Sequence, residues 1–173
     1  GPGPGHPDVD RQEPAPDSEL RRREPGIRLG PGVRVGIIGV GNMGLAMAGR
    51  LIEQGWQVTV RDIEPARERL AEGLGARVCA SPAAVAAVAD SVVICVVDAR
   101  QADSVLFDPH EGVVSQDNKP CILLCPTIAP DQTEAFAHRL AAVGLPCIDA
   151  PMSGGPLRAR AGRGKDWRRG AIR

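Results

Sequence analysis

Residues 33–62 read VRVGIIGVGNMGLAMAGRLIEQGWQVTVRD, and this stretch decides the fold. Val33, Val35, Ile37 and Ile38 form a short β-branched run that predicts a buried strand. Gly39-Val40-Gly41-Asn42-Met43-Gly44 fits G-x-G-x-x-G, and Met43, Met47 and Leu51 then recur every four residues along a predicted helix. A second apolar run, Val58 to Val60, ends in Arg61-Asp62. The carboxylate falls 23 positions after Gly39, close to the roughly 20 of a dinucleotide fingerprint.

Each part has a mechanical reason. Gly39 permits a tight turn off the strand. Gly41 lacks a Cβ, so the backbone can approach a pyrophosphate. Gly44 lets the helix pack closely. The helix N-terminus supplies unpaired N–H groups and a partial positive charge, to which Asn42 and Met43 also belong. Asp62 can accept hydrogen bonds from an adenosine ribose. A lone G-x-G-x-x-G also describes a glycine turn in an ordinary βα unit; strand, glycines, helix, second strand and acid in one register favour the dinucleotide. A carboxylate at 62 bonds the ribose 2′-OH of NAD and repels the 2′-phosphate of NADP, which favours NAD. Arg61 and Arg67 complicate that choice. Either could reach a phosphate, although solvated surface charge is the commoner role for a residue such as Arg67.

Outward from this unit the pattern alternates. Strands are expected near 33–38, 57–61, 77–79, 91–97, 121–125 and 146–149. Helices are expected near 42–54, 64–73, after Ser81-Pro82 as N-cap and N1, near 100–107, and from Pro130 with Asp131 in the first turn. The run VVICVV within Ser91–Val97 requires burial on both faces. Such alternation implies an α/β, Rossmann-type, doubly wound parallel sheet. Residues 1–32 hold seven of the 16 prolines and read as a disordered leader or linker, or as a processing remnant. Their six acids argue against a mitochondrial transit peptide; the cytoplasm is the expected location, with the mitochondrion as the alternative. The dinucleotide-binding domain is placed at 33–156. Residues 157–173 carry seven basic residues and one acid, and read as a basic disordered tail. A tail that binds nucleic acid is the competing interpretation.

Composition sets bounds. Aromatic residues are 2% of the 173, with no Tyr, so the core must be Ala, Val, Leu and Ile, and there is no stacking platform for single-stranded nucleic acid. Formal net charge is zero, which gives no general attraction to nucleic acid or membrane. Cys79, Cys95, Cys121, Cys125 and Cys147 sit in or beside apolar runs and read as buried free thiols in a reducing compartment. There is no C-x-x-C, and His6, His110 and His138 show no metal-ligand spacing. No apolar run approaches the roughly 18 residues of a membrane span.

A second motif, Asp149-Ala150-Pro151-Met152-Ser153-Gly154-Gly155, follows the last strand. Its glycine amides and the Ser153 hydroxyl could hold a carboxylate, or the glycines could merely satisfy a turn. Together with G-x-G-N-M-G and the C-P-T-I-A-P of 125–130, this chain resembles the β-hydroxyacid dehydrogenases, which include 3-hydroxyisobutyrate and 6-phosphogluconate dehydrogenases. The resemblance covers about residues 33–162. It implies a nicotinamide cofactor on the first motif, with Val97 and Asp98 beside its adenosine ribose and Thr127 near the nicotinamide. It also implies that Ser153, Gly154 and Gly155 grip the substrate carboxylate. In that family the catalytic lysine, the general acid/base, lies on a second, helical domain. Neither Lys119 nor Lys165 has that motif around it, so no residue here is assigned a catalytic role, and the second domain and its dimer contacts are expected to be absent. The expected function is the NAD(P)-binding part of an oxidoreductase acting on β-hydroxy acids, incomplete as given. The alternative is a non-enzymatic NAD(P)-binding sensor or interaction module.

Overall fold

The computed structural model describes residues 32–152 and 155–161. Its strands are β1 (Arg34–Ile38), β2 (Gln57–Arg61), β3 (Arg77–Val78), β4 (Ser91–Ile94), β5 (Cys121–Leu124) and β6 (Cys147–Asp149). Its helices are α1 (Asn42–Glu53), α2 (Pro65–Gly73), α3 (Pro82–Val88), α4 (Ala99–Phe107), α5 (Pro130–Ala142) and α6 (Gly155–Arg160). All strand pairs are parallel, in the order β3-β2-β1-β4-β5-β6. The chain starts in the middle of the sheet, winds outward to β3, then crosses back through α3 to build the other half from β4. This is the doubly wound order that the alternation predicts.

The period of two along each strand divides the core between the faces. Ile37 and Val93 point to one face with Ala48 of α1 and Ala71 of α2. Ile38, Val92, Ile94, Ile122 and Leu124 point to the other, with Val85 and Ala86 of α3, Ala102 and Leu106 of α4, and Phe136 and Leu140 of α5. Full burial of each such Val, Leu, Ile or Phe side chain is worth about 1.5–3 kcal/mol. Small residues let the layers close: a Cβ on Gly36 of β1 would overlap Val85 of α3. Ser81 caps α3 as expected, its Oγ accepting the Ala84 N–H at 3.1 Å, with Pro82 next in the chain.

Two expectations are corrected. The fourth strand does not run to Val97; it stops at Ile94, opposite Ile38, the last residue of β1. The Cys95 N–H still donates to Ile38 O at 2.8 Å. Beyond that β1 has turned away, so Cys95-Val96-Val97 has the composition of a strand and no backbone to pair with. Val97 ends up 82% exposed. The segment expected as a tail from residue 157 begins instead in a helix. α6 lies against α1, the Arg160 guanidinium crosses Gly49, and Arg160 pairs with Glu53 at 2.5 Å. Residues 1–31 of the expected leader (1–32) and residues 162–173 lie outside the described residues.

Candidate dinucleotide site

β1 and β4 are neighbours, but the chain leaves them in opposite directions around the sheet. Their diverging ends open a crevice at the carboxyl edge, where ligands of such sheets bind. The loop 39–41 forms its floor. Gly39 has φ +92°, and a Cβ there would lie 2.5 Å from the Cys95 carbonyl oxygen. Its N–H donates to Arg61 O at 2.9 Å, which ties the loop to the end of β2. A Cβ on Gly44 would overlap the Gly39 carbonyl, so the first turn of α1 sits directly on the loop. The close partner of Gly44 is therefore the loop backbone rather than a strand.

Gly41 differs from both. It is the N-cap of α1 with φ −60°, and a Cβ built on it meets nothing within 4 Å. Nothing inside the protein requires a glycine at 41, so the space beside its backbone is open to a ligand. The first turn of α1 holds no acid and its N-cap makes no side-chain hydrogen bond. The helix thus presents donors and a positive dipole end toward the crevice. Asn42 is exposed, and its Oδ1 accepts from Arg67 Nη1 at 3.2 Å. Met43 is half-buried behind it.

Asp62 follows β2 directly. Its Oδ2 accepts the Val40 N–H at 2.7 Å and its Oδ1 accepts the Glu64 N–H at 2.9 Å. Each oxygen has a second lone pair, so acceptor capacity remains for hydroxyl donors. On the far side of the crevice, Asp98 caps α4, with Oδ1 accepting the Gln101 N–H at 2.8 Å. The Gln101 side chain returns the favour by accepting the Val97 N–H at 3.0 Å. Thr127 is exposed on the loop after β5. Gly155 is exposed, with φ +72°, at the start of α6. Ser153 and Gly154 lie outside the described residues. The structure therefore gathers Gly39, Gly41, Asn42, Met43, Gly44 and Asp62 around one loop, and sets Val97, Asp98 and Thr127 on neighbouring loops of the same sheet edge.

Two residues with a bearing on the site escape the sequence pattern. Cys95 lies at the end of β4 next to Gly39, and the Gly44 N–H hydrogen-bonds its thiol; burial outweighs that contact and pushes the thiol up to about 11. Glu68 of α2 bonds both Arg61 and the Asp62 backbone. A motif fixes spacing along the chain, and neither contact is a spacing. Burial pushes Cys125 and Cys147 up to about 12, and all five cysteines are free and buried or half-buried. At neutral pH such thiols stay protonated and are poor nucleophiles. Among the described residues no group of three or more His, Cys, Asp or Glu could hold a metal ion, and no helix is long and apolar enough to cross a membrane.

Comparison with known proteins gives the chain a family. The family described as the NAD binding domain of 6-phosphogluconate dehydrogenase matches residues 34–164. The L-threonate dehydrogenase of Cupriavidus necator is 36% identical over 129 residues, 74% of this chain and 43% of that protein. The 3-hydroxyisobutyrate dehydrogenase of Pseudomonas aeruginosa is 36% identical over 134 residues, again 74% and 43%. A solved structure of a 3-hydroxyisobutyrate dehydrogenase from Salmonella typhimurium superimposes with a TM-score of 0.69 at 33% identity, covering 75% of this chain and 45% of that one. The chain thus spans less than half the length of these relatives.

Proposed function

This chain belongs to the family of NAD-binding domains typified by that of 6-phosphogluconate dehydrogenase, and we propose that it holds NAD in preference to NADP as the cofactor-binding part of an oxidoreductase acting on a β-hydroxy acid. The observation that carries the reading is the pairing of an open backbone at Gly41 with the carboxylate of Asp62 at the same loop. The pyrophosphate lies over Gly41 and meets the N–H groups of the first turn of α1. Gly39 and Gly44 keep the loop low enough for that approach. Asp62 receives the hydroxyls of the adenosine ribose with its remaining lone pairs, and Val97 and Asp98 line the same edge. Thr127 lies toward the nicotinamide. Ser153, Gly154 and Gly155 face the substrate carboxylate, by their match to the family motif. The cofactor, when bound, supplies the hydride chemistry, and the protein supplies its position. The unit that does this is residues 33–156.

The fit is to an anionic ligand with a hydroxyl-bearing edge. A 2′-phosphate would bring two negative charges against Asp62, which is already held in place by two backbone N–H groups. Calorimetric titration of the protein with NADH and with NADPH tests the reading. NADH is expected to bind about tenfold more tightly or better, the value of one unfavourable charge contact. Equal or tighter binding of NADPH would overturn the preference, and binding of neither would overturn the site.

A further inference from the structure

Two arginines lie near Asp62, and what holds each one decides what the ribose corner can accept. Arg61 is the last residue of β2. Its Nη1 donates to Oε1 of Glu68 at 2.7 Å. Glu68 stands in the first turn of α2, with its side chain only 13% exposed, against 31% for Arg61. The same oxygen, Oε1, accepts the Asp62 N–H at 3.1 Å. One carboxylate therefore restrains both the cation before the acid and the backbone of the acid itself. Arg67 is tethered separately, to Asn42 Oδ1 at 3.2 Å and alongside Glu64 at 3.6 Å.

The two ion pairs differ in what their rupture costs. Glu64 is largely exposed, so its pair with Arg67 is screened and weak. Glu68 is nearly buried. To draw Arg61 onto a ligand phosphate would strand the Glu68 carboxylate without its cation, away from water, and such a stranded charge costs more than the pair itself is worth. Arg61 sits one residue from Asp62, yet its charge is already spoken for.

We infer that Glu68 is a positioning residue for cofactor choice: it withdraws Arg61 from the ribose corner and holds the Asp62 backbone, so selectivity against a 2′-phosphate belongs to Arg61, Asp62 and Glu68 together. The inference rests on the reading that this edge receives the adenosine ribose. In this arrangement Asp62 repels the extra phosphate, and Glu68 denies it the guanidinium that precedes Asp62 in the chain. The sequence Arg61-Asp62 alone, with one charge of each sign, does not decide between the two cofactors.

The test is Glu68→Gln. The amide oxygen can still accept the Asp62 N–H, while the charge that holds Arg61 is gone. Calorimetric affinities for NADH and NADPH are measured on the wild-type protein, on Glu68→Gln and on the double variant Arg61→Ala/Glu68→Gln. The NADPH-to-NADH affinity ratio is expected to rise about tenfold in Glu68→Gln, the gain of one guanidinium–phosphate contact. NADH affinity is expected to stay within about threefold, since a 2′-OH gains nothing from Arg61. In the double variant the ratio falls back to the wild-type level. A merely structural Glu68 would weaken both cofactors together and leave the ratio unmoved, which overturns the inference. A rise that persists without Arg61 also overturns it. Should Glu68→Gln not fold, as judged by its melting transition, Glu68→Met fills a similar volume without charge; it also removes the acceptor of the Asp62 N–H, so NADH affinity is expected to fall while the NADPH-to-NADH ratio still rises. Wild-type protein that binds neither dinucleotide would sink the cofactor reading itself. Wild-type protein that binds NADH, with an unmoved ratio in the variants, would sink only the role of Glu68.

Discussion

Two helices follow neighbouring strands from the carboxyl edge of the sheet, on opposite faces, and their first turns are built in opposite ways. α4 follows β4 and is closed: Asp98 accepts the Gln101 N–H, and Gln101 accepts the Val97 N–H. α1 follows β1, one strand away, and is open. Its N-cap is a glycine with no side chain to offer, and no acid stands in its first turn. Both termini carry the same partial positive charge, about +0.5 of an elementary charge. They differ only in the chemistry at the cap. At α4 the Asp98 carboxylate accepts the Gln101 N–H and sets a negative charge against the helix end. At α1 one donor, the Gly44 N–H, goes to the Cys95 thiol; the helix start has no carboxylate of its own, and Gly41, alone of the three motif glycines, would place an added Cβ where no described atom lies within 4 Å. At the point where the sheet reverses direction, the protein presents one anion-ready helix end and one that is sealed.

The comparison is broken most severely at Gly44. A valine there would overlap the Gly39 carbonyl, and the loop cannot give way because a Cβ on Gly39 itself has no room against Cys95. Gly44→Val is expected to lose about 2–4 kcal/mol of stability, read from a urea or thermal melt, together with cofactor binding. A melt like that of the wild type would show that the helix does not rest on the loop.

Gly41→Val separates binding from folding. Its Cβ enters space with no described atom within 4 Å, so stability should fall by no more than about 1 kcal/mol, the cost of a poorer N-cap. NADH binding should be lost by about a hundredfold or more, because the side chain stands where the pyrophosphate must lie. Normal binding by this variant would show that the phosphate does not lie over the loop.

Asp98→Ala sharpens the comparison from the other side. It converts α4 into a second uncapped helix and should cost about 1 kcal/mol. The urea midpoint measures this. A shift of a few tenths or less would show that the Asp98–Gln101 pair is not holding the helix end, and the contrast with α1 would lose its closed member.

Most of the architecture was legible because it rests on local repeats. The β-branched runs at 33–38 and 57–61, the fourfold spacing of Met43, Met47 and Leu51, and Ser81-Pro82 ahead of an alanine-rich segment each specify an element from its own residues. The run from Ser91 to Val97 misled for the same reason. Its composition is that of a buried strand throughout, but a strand needs a partner backbone, and β1 ends at Ile38. Where a strand stops is a property of its neighbour. The start of the basic segment, residues 158–160, misled in a similar way, while residues 162–173 lie outside the described residues. Its charges suggest solvation, yet Arg160 finds Glu53 on α1, 107 residues earlier.

By itself the sequence determined the parallel, doubly wound class, the glycine loop and its acid, and the uncapped start of α1. Each of these is written in spacing of a few residues, or in one residue type that a tight backbone path demands. The tertiary structure alone decided that Gly44 rests on the Gly39 carbonyl, that β4 opens into a loop after Ile94, and that Glu68 takes hold of Arg61. Those contacts depend on the order in which strands lie side by side and on the helix that crosses above them. A charge is free or committed according to what stands opposite it in space: Arg61 and Asp62 lie side by side in the sequence with opposite charges, and only the fold shows that Glu68, from the next helix, takes the first of them.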